Sequence, residues 1–207
     1  MRKIITTTFV SLDGVMQAPG GPEEDTSGGF MYGGWSFNYW GDNKVMDETM
    51  AGFMSQPFDL LLGRKTYDIF ASYWPNVKDT DPNGDIGKPF NKARKYVVSH
   101  KNMKLAWQNS VLVTGDVVSE LKKLKDMNGP DLWVHGSGNL IQTLLKEKLI
   151  DRMHIWTFPV TLGPGKRLFA EGTRAVGWKL IDSKTAKSGV IIASYEPTGE
   201  LKVGSFV

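Results

Sequence analysis

Short runs of β-branched and apolar residues stop, one after another, at a glycine or small polar residue, and a helical pattern then begins. Phe58 to Leu62 stops at Gly63 before the amphipathic stretch Tyr67 to Trp74, and Val111 to Thr114 stops at Gly115-Asp116 before a helix over Val117 to Met127. Leu132 to His135 stops at Gly136-Ser137-Gly138 before a helix over Leu140 to Lys148. Two further runs, Ile4 to Leu12 and Lys95 to Ser99, read as strands on the same grounds. Repeated strand and helix of this kind selects an α/β fold with a largely parallel sheet, because each helix covers the sheet while the chain returns to start the next strand.

The rest of the chain fits around that frame. Gln17 to Gly34, rich in Gly, Pro, Glu and Asp, is a long loop leaving the first strand. Asp42 or Asn43 can cap a helix that carries Val45, Met46, Met50, Phe53 and Met54 on one side and ends before Pro57. Pro75 to Lys88 reads as a polar excursion on the surface. In the final third, Arg152 to Val160, Trp178 to Asp182, Val190 to Tyr195 and Leu201 to Phe206 all read as strands without a helix between them, so antiparallel strands are expected to complete one edge of the sheet. With 207 residues, 41% of them hydrophobic, and neither loop resembling a linker, one domain over 1–207 is expected.

Composition removes several functions. A net charge of +3 without a basic stripe argues against a nucleic-acid partner, and Leu121-Lys122-Lys123-Leu124-Lys125 has the spacing of a helix with one wet face. There are no cysteines, hence no disulfide, thiolate metal site or cysteine nucleophile. The three histidines lie far apart, so no metal is expected. Asp81, Asn83 and Asp85 lack the glutamate of a calcium loop, and Gly136-Ser137-Gly138 lacks the spacing of a nucleophile elbow. With no apolar run long enough to span a bilayer and no cleavage pattern after Met1-Arg2-Lys3, the expectation is a soluble cytoplasmic protein without a membrane partner.

Chemistry points to the strand ends. At Gly63-Arg64-Lys65-Thr66, glycine permits close backbone approach, a helix start offers unpaired N–H groups, and two cations stand beside them; that is a phosphate cradle, the alternative being a strand end followed by solvated side chains. Gly136-Ser137-Gly138-Asn139-Leu140 repeats the arrangement, without the third glycine and acidic residue of a dinucleotide fingerprint, and a tight turn is its alternative. Val97-Val98-Ser99-His100-Lys101 and Val113-Thr114-Gly115-Asp116 are two more polar ends. Ligands of open α/β sheets sit beyond the carboxyl ends of the strands, so four such ends can converge on one elongated cofactor.

Taken in order, these residues resemble the dihydrofolate reductase superfamily, in particular the group similar to the C-terminal reductase domain of the bifunctional deaminase-reductase of riboflavin synthesis. The matching pieces are Ser11-Leu12-Asp13-Gly14, Gly63-Arg64-Lys65-Thr66-Tyr67, Val98-Ser99, His135-Gly136-Ser137-Gly138, and the run from Pro159 through Gly163-Pro164-Gly165-Lys166-Arg167 to Phe169. The resemblance implies a dihydrofolate reductase-like three-layer fold and an NADPH-dependent reductase acting on a small, pyrimidine- or pteridine-like substrate, commonly as a homodimer. It implies that Gly63, Arg64, Lys65 and Thr66 hold the adenosine side and pyrophosphate and that Ser99 with His100 or Lys101 meets the 2′-phosphate. It implies further that Gly115 and Asp116 flank the adenine, and that Gly136, Ser137, Gly138, Asn139 and Leu140 line the pyrophosphate. A non-catalytic NADP-binding or sensory module and a true dihydrofolate reductase are the alternatives; the Pro-Trp pair that precedes the acidic helix in true dihydrofolate reductases is missing here, as is any zinc-bearing deaminase half.

On the reacting side two acids are candidates. Asp13, beside the expected nicotinamide end, can bind or polarise substrate, or simply stabilise its own turn. Asp47 sits on the helix before the Gly63 junction, similar in placement to the acidic substrate-binding residue of dihydrofolate reductases, with a solvated helix acid as its alternative. Trp35, Phe37, Tyr39 and Trp40 form an aromatic cluster in a polar region, so Trp35 and Trp40, with Met50 nearby, are assigned to the substrate wall, against subunit contact or loop packing.

Overall fold

The computed structural model describes residues 1–41 and 43–206. The strands are β1 (Ile4–Ser11), β2 (Phe58–Gly63), β3 (Lys95–Val98), β4 (Ser110–Val113), β5 (Asp131–His135), β6 (Arg152–Phe158), β7 (Gly177–Thr185) and β8 (Ile191–Gly199). The helices are α1 (Lys44–Met54), α2 (Arg64–Tyr73), α3 (Gly84–Lys92), α4 (Val117–Asp126) and α5 (Gly138–Lys146). These strands form one sheet in the order β4-β3-β2-β5-β1-β6-β8-β7. Every pairing from β4 to β6 is parallel, and β8 is antiparallel to both β6 and β7. The carboxyl ends of β1 to β6 therefore share one rim of the sheet.

Alternation along the strands divides the core into two. Ile4, Leu61, Leu132 and Val134 face one cluster with Leu121 and Leu124 of α4 and Leu140, Ile141, Leu144 and Leu145 of α5. Ile5, Leu60, Leu62 and Trp133 face the other, with Tyr67 of α2 and Phe90 of α3, and Phe53 of α1 packs against it. The result is a sheet between two helical layers, with side chains from successive residues entering opposite cores. No helix among the described residues is long and apolar enough to cross a membrane.

Three local expectations change. The excursion from Pro75 to Lys88 contains α3, whose buried Gly84, Gly87 and Phe90 recur every third residue. Turn-forming residues at its start and Pro89 inside it hide that period, and Gly87 is needed because a Cβ there would approach Val77 Cγ1 to 2.8 Å. Leu201 to Phe206 is not a strand: β8 continues to Gly199 against β7, and Leu201, Val203 and Phe206 beyond it are exposed without a neighbouring strand to pair with. At the start of α1, Asp42 lies outside the described residues, and the Asn43 side chain donates to Ser188 Oγ at 2.7 Å and provides no helix cap.

Candidate functional site

Two helix starts meet at adjacent strand ends. β2 and β5 are neighbours, and α2 begins directly after Gly63 while α5 begins at Gly138, the two helices lying on opposite faces of the sheet. Neither helix has a side-chain cap, so the N–H groups of both first turns remain available to an anion. By contrast α4 is capped by Asp116, whose carboxylate accepts the Ser119 N–H at 3.3 Å. The junctions are tied together: Gly63 N–H donates to Ser137 Oγ at 3.0 Å, and Gly136 stands next to Thr66, whose Oγ1 would be 4.0 Å from a Cβ there. Gly136 and Ser137 both adopt left-handed backbone, with φ of 63° and 65°. For a serine that conformation costs about 1 kcal/mol, and the bond to Gly63 helps to hold it. Arg64 and Lys65 are exposed at this rim, with Asp68 3.6 Å from Arg64 Nε.

The loop leaving β1 is fastened to the loop following β6. Leu12 N–H donates to Val160, Met16 N–H to Lys166 and Leu168 N–H to Gly14, all backbone bonds of 2.8 to 3.0 Å. Asp13 adds a charged latch, accepting from Ser11 Oγ at 2.6 Å, Leu162 N–H at 3.1 Å and Gly163 N–H at 2.8 Å. The Ser11 hydroxyl contributes most to lowering its carboxyl to about 2, burial opposes, and the two backbone donors add to the fall. Asp13 is thus an anion at neutral pH with most of its lone pairs engaged, able to polarise a neighbour but without a proton to give. Gly165 permits the closeness of the two loops, since a Cβ there would come within 2.6 Å of Val15 Cγ1.

Sequence reasoning did not foresee a second latch. Asp25, in the long loop, accepts from Lys166 Nζ at 2.7 Å and also pairs with Lys65, so the cations of two distant segments meet on one carboxylate. Burial acts to raise the Asp25 pKa, but hydrogen bonds from Lys166, Lys65 and Ser27 prevail and hold it well below the usual carboxylate range. Buried Gln17 sets the loop, donating to the carbonyls of Asp25 and Ser27 at 2.9 Å and accepting Lys166 N–H at 3.1 Å. Glutamine and aspartate in a glycine-rich loop give no periodic signal, and partners 40 and 141 residues away from Asp25 are invisible in a single sequence.

The other assigned residues are distributed unevenly. Ser99 is buried at the end of β3 with Oγ donating to the Lys101 carbonyl at 2.7 Å, and His100 is exposed beside it. Gly115, with φ of 81°, turns the chain between β4 and α4, so these residues lie along the same rim, two strands from β5 at the end of β3 and three at the end of β4. Asn139 is exposed and Leu140 is part of the core on α5. Asp47 is exposed on α1, whose buried residues are Met46 and Thr49. Trp35, Trp40 and Met50 pack on a cluster containing Trp156 and Phe158, with the Trp40 and Trp156 rings stacked at 5.8 Å and Trp35 edge-on to Phe158 at 5.3 Å. Trp35 Nε1 also donates to the Gln17 carbonyl at 2.7 Å, so the aromatic loop is joined to the same loop system.

Comparison with known proteins agrees with this architecture. The family model described as the RibD C-terminal domain matches residues 2–192. The chain is 28% identical over 200 residues to the uncharacterized protein YyaP of Bacillus subtilis strain 168, covering 96% of each chain. Over 183 residues it is 27% identical to YwjB of the same strain, covering 88% of this chain and 91% of that one. Among solved structures, a putative riboflavin biosynthesis protein from Shewanella sp. PV-4 is similar with a TM-score of 0.71 and 24% identity, over 95% of this chain and 99% of the other. A dihydrofolate reductase from Enterococcus faecalis, solved with NADP(H), is similar with a TM-score of 0.58 and 13% identity, over 95% and 96% of the two chains. At these identities the structural likeness speaks for a dihydrofolate reductase-like fold.

Proposed function

Because the chain belongs to the RibD C-terminal domain family, we propose that it is an NADPH-dependent reductase acting on a small heterocycle of pyrimidine or pteridine type, similar to 5-amino-6-(5-phosphoribosylamino)uracil. The observation that carries this reading is the pair of uncapped helix starts at the β2 and β5 ends, joined through Gly63 and Ser137. Those residues fit a pyrophosphate: Thr66 and the run from Ser137 to Leu140 offer hydroxyl and backbone donors, Gly63 and Gly136 lack side chains that would crowd a ligand, and Arg64 and Lys65 offer charge. Ser99, His100, Gly115 and Asp116 extend the same rim toward the adenosine end. NADPH bound there supplies the hydride. Asp13 contributes a fixed negative charge at the β1 exit, and the aromatic loop with Trp35, Trp40 and Met50 excludes water from that side. Homodimer formation in the cytoplasm belongs to the same reading, supported by the outer strand β7, where Leu180 and Ile181 are exposed at a sheet edge.

Two observations favour a second reading, an NADP-binding module without turnover: the Asp13 carboxylate is already engaged and the aromatic loop is packed on the sheet. Substrate-dependent oxidation of NADPH, measured against pteridines including dihydrofolate, pyrimidinediones and quinones, separates the two. Oxidation with a pyrimidine or pteridine supports the reductase. NADPH binding with no oxidation across the panel supports the module, and turnover confined to dihydrofolate assigns a folate reductase.

A further inference from the structure

Lys65 and Lys166 come from the start of α2 and from the glycine-rich loop after β6, yet their ammonium groups share one carboxylate. Ser27 completes the group: its Oγ accepts from Lys166 Nζ at 2.8 Å and lies 3.4 Å from Lys65 Nζ. The Asp25 side chain is only 11% exposed, whereas those of Lys65 and Lys166 are about half exposed, so the carboxylate is seated between two cations that still face solvent. Two oxygens of an acid held by two ammonium groups and a serine N–H and hydroxyl reproduce the donor set of a bound phosphate. Lys65 also adjoins Arg64 and Thr66 at the mouth of the rim cluster, where a phosphate is expected on independent grounds.

We propose that Lys65, Lys166 and Ser27 form a phosphate-binding site which the chain's own Asp25 fills in the free protein, and that a phosphate-bearing ligand enters by displacing that carboxylate. The inference deepens the reading of the rim as a phosphate site and rests on it, and it adds Lys166 as a ligand-binding residue. Asp25 then serves as an internal competitor. Releasing it frees the loop from Gln17 to Gly34, which the two lysines otherwise fasten to both neighbouring segments.

Calorimetric titration with pyrophosphate tests the site without reference to turnover. Asp25→Asn removes the competing charge and keeps the shape, so it is expected to bind pyrophosphate at least about fivefold tighter than the natural protein, and adding Lys166→Gln to reverse most of that gain. Equal or weaker binding by Asp25→Asn overturns the proposal and leaves a purely structural clasp. Limited proteolysis of the natural protein gives a second measurement that does not depend on a variant folding: pyrophosphate is expected to speed cleavage within Gln17 to Gly34, and unchanged or slower cleavage contradicts displacement. Competition identifies the source of the phosphate. Displacement of pyrophosphate by NADPH assigns it to the cofactor, and displacement by ribose 5-phosphate alone assigns it to a phosphorylated substrate. Tightened pyrophosphate binding in Asp25→Asn with no NADPH binding keeps this site and rejects the cofactor reading. Saturable NADPH binding together with pyrophosphate affinity indifferent to Asp25 and Lys166 does the reverse.

Discussion

Ser137 Oγ accepts the backbone N–H of Gly63 at 3.0 Å, and this bond fixes the ends of β2 and β5 to each other at the place where α2 and α5 begin. Ser137 holds a left-handed backbone to make it, with φ of 65° and ψ of 53°. The strain and the bond are thus coupled. Ser137→Ala keeps the strained conformation and leaves a part-buried N–H without its partner, an expected loss of about 1–3 kcal/mol in urea denaturation. Ser137→Gly also loses the bond but relieves the backbone, so its loss is expected to be smaller. The reverse order would mean that the bond does not carry the turn.

Asp13 latches the β1 exit to Leu162 and Gly163. With its pKa lowered to about 2, chiefly by the Ser11 hydroxyl, it favours the folded state at any pH above the ordinary carboxylate value of 3.8, and that contribution fades as pH falls toward 2. Asp13→Asn is therefore expected to destabilise by about 1–2 kcal/mol at pH 7, with the gap between variant and natural protein closing below pH 4. Denaturant midpoints at the two pH values check this; a gap independent of pH would mean that the charge is not what fastens the loops.

A different acid response comes from the core. His135 and His154 flank Thr7 in register on β5, β1 and β6, and both stack on Trp133. Burial is the main reason that each is lowered to about 4, so both are neutral when folded at pH 7. Between pH 6.5 and 4 the unfolded chain takes up protons that the folded chain refuses, and stability falls in that window at up to about 1.4 kcal/mol per pH unit for each histidine. His135 Nε2 has no hydrogen-bond partner, which makes His135→Phe a clean probe: it is expected to keep stability at pH 7 and to flatten the acid loss. An unaltered pH profile would place the acid sensitivity elsewhere.

How much was legible from sequence follows from what each feature depends on. The parallel core is legible because Phe58 to Leu62 and Leu132 to His135 carry their own period and their own glycine stops, and the shared rim of the Gly63 and Gly136-Ser137-Gly138 ends follows from their equivalent places in a parallel sheet, whereas the bond between Gly63 and Ser137 does not. Helix α3 is not legible because Pro89 and the turn residues before it contradict a helix locally, and its buried face of Gly84, Gly87 and Phe90 shows only in the folded chain. The Asp25 latch was lost because its partners lie in other segments. Asp47 illustrates a different dependence: its position along the chain suggests a substrate-side acid, whereas its exposure is set by helical phase, with Met46 and Thr49 on the buried side.

Direct titration with NADPH and NADH tests the proposal that the joined β2 and β5 ends form an NADPH site, without knowledge of the substrate. Saturable binding of both is expected, with NADPH tighter by about tenfold or more, and a comparable loss of NADPH affinity in Arg64→Ala. Equal affinity for the two cofactors, or binding of neither, would contradict it.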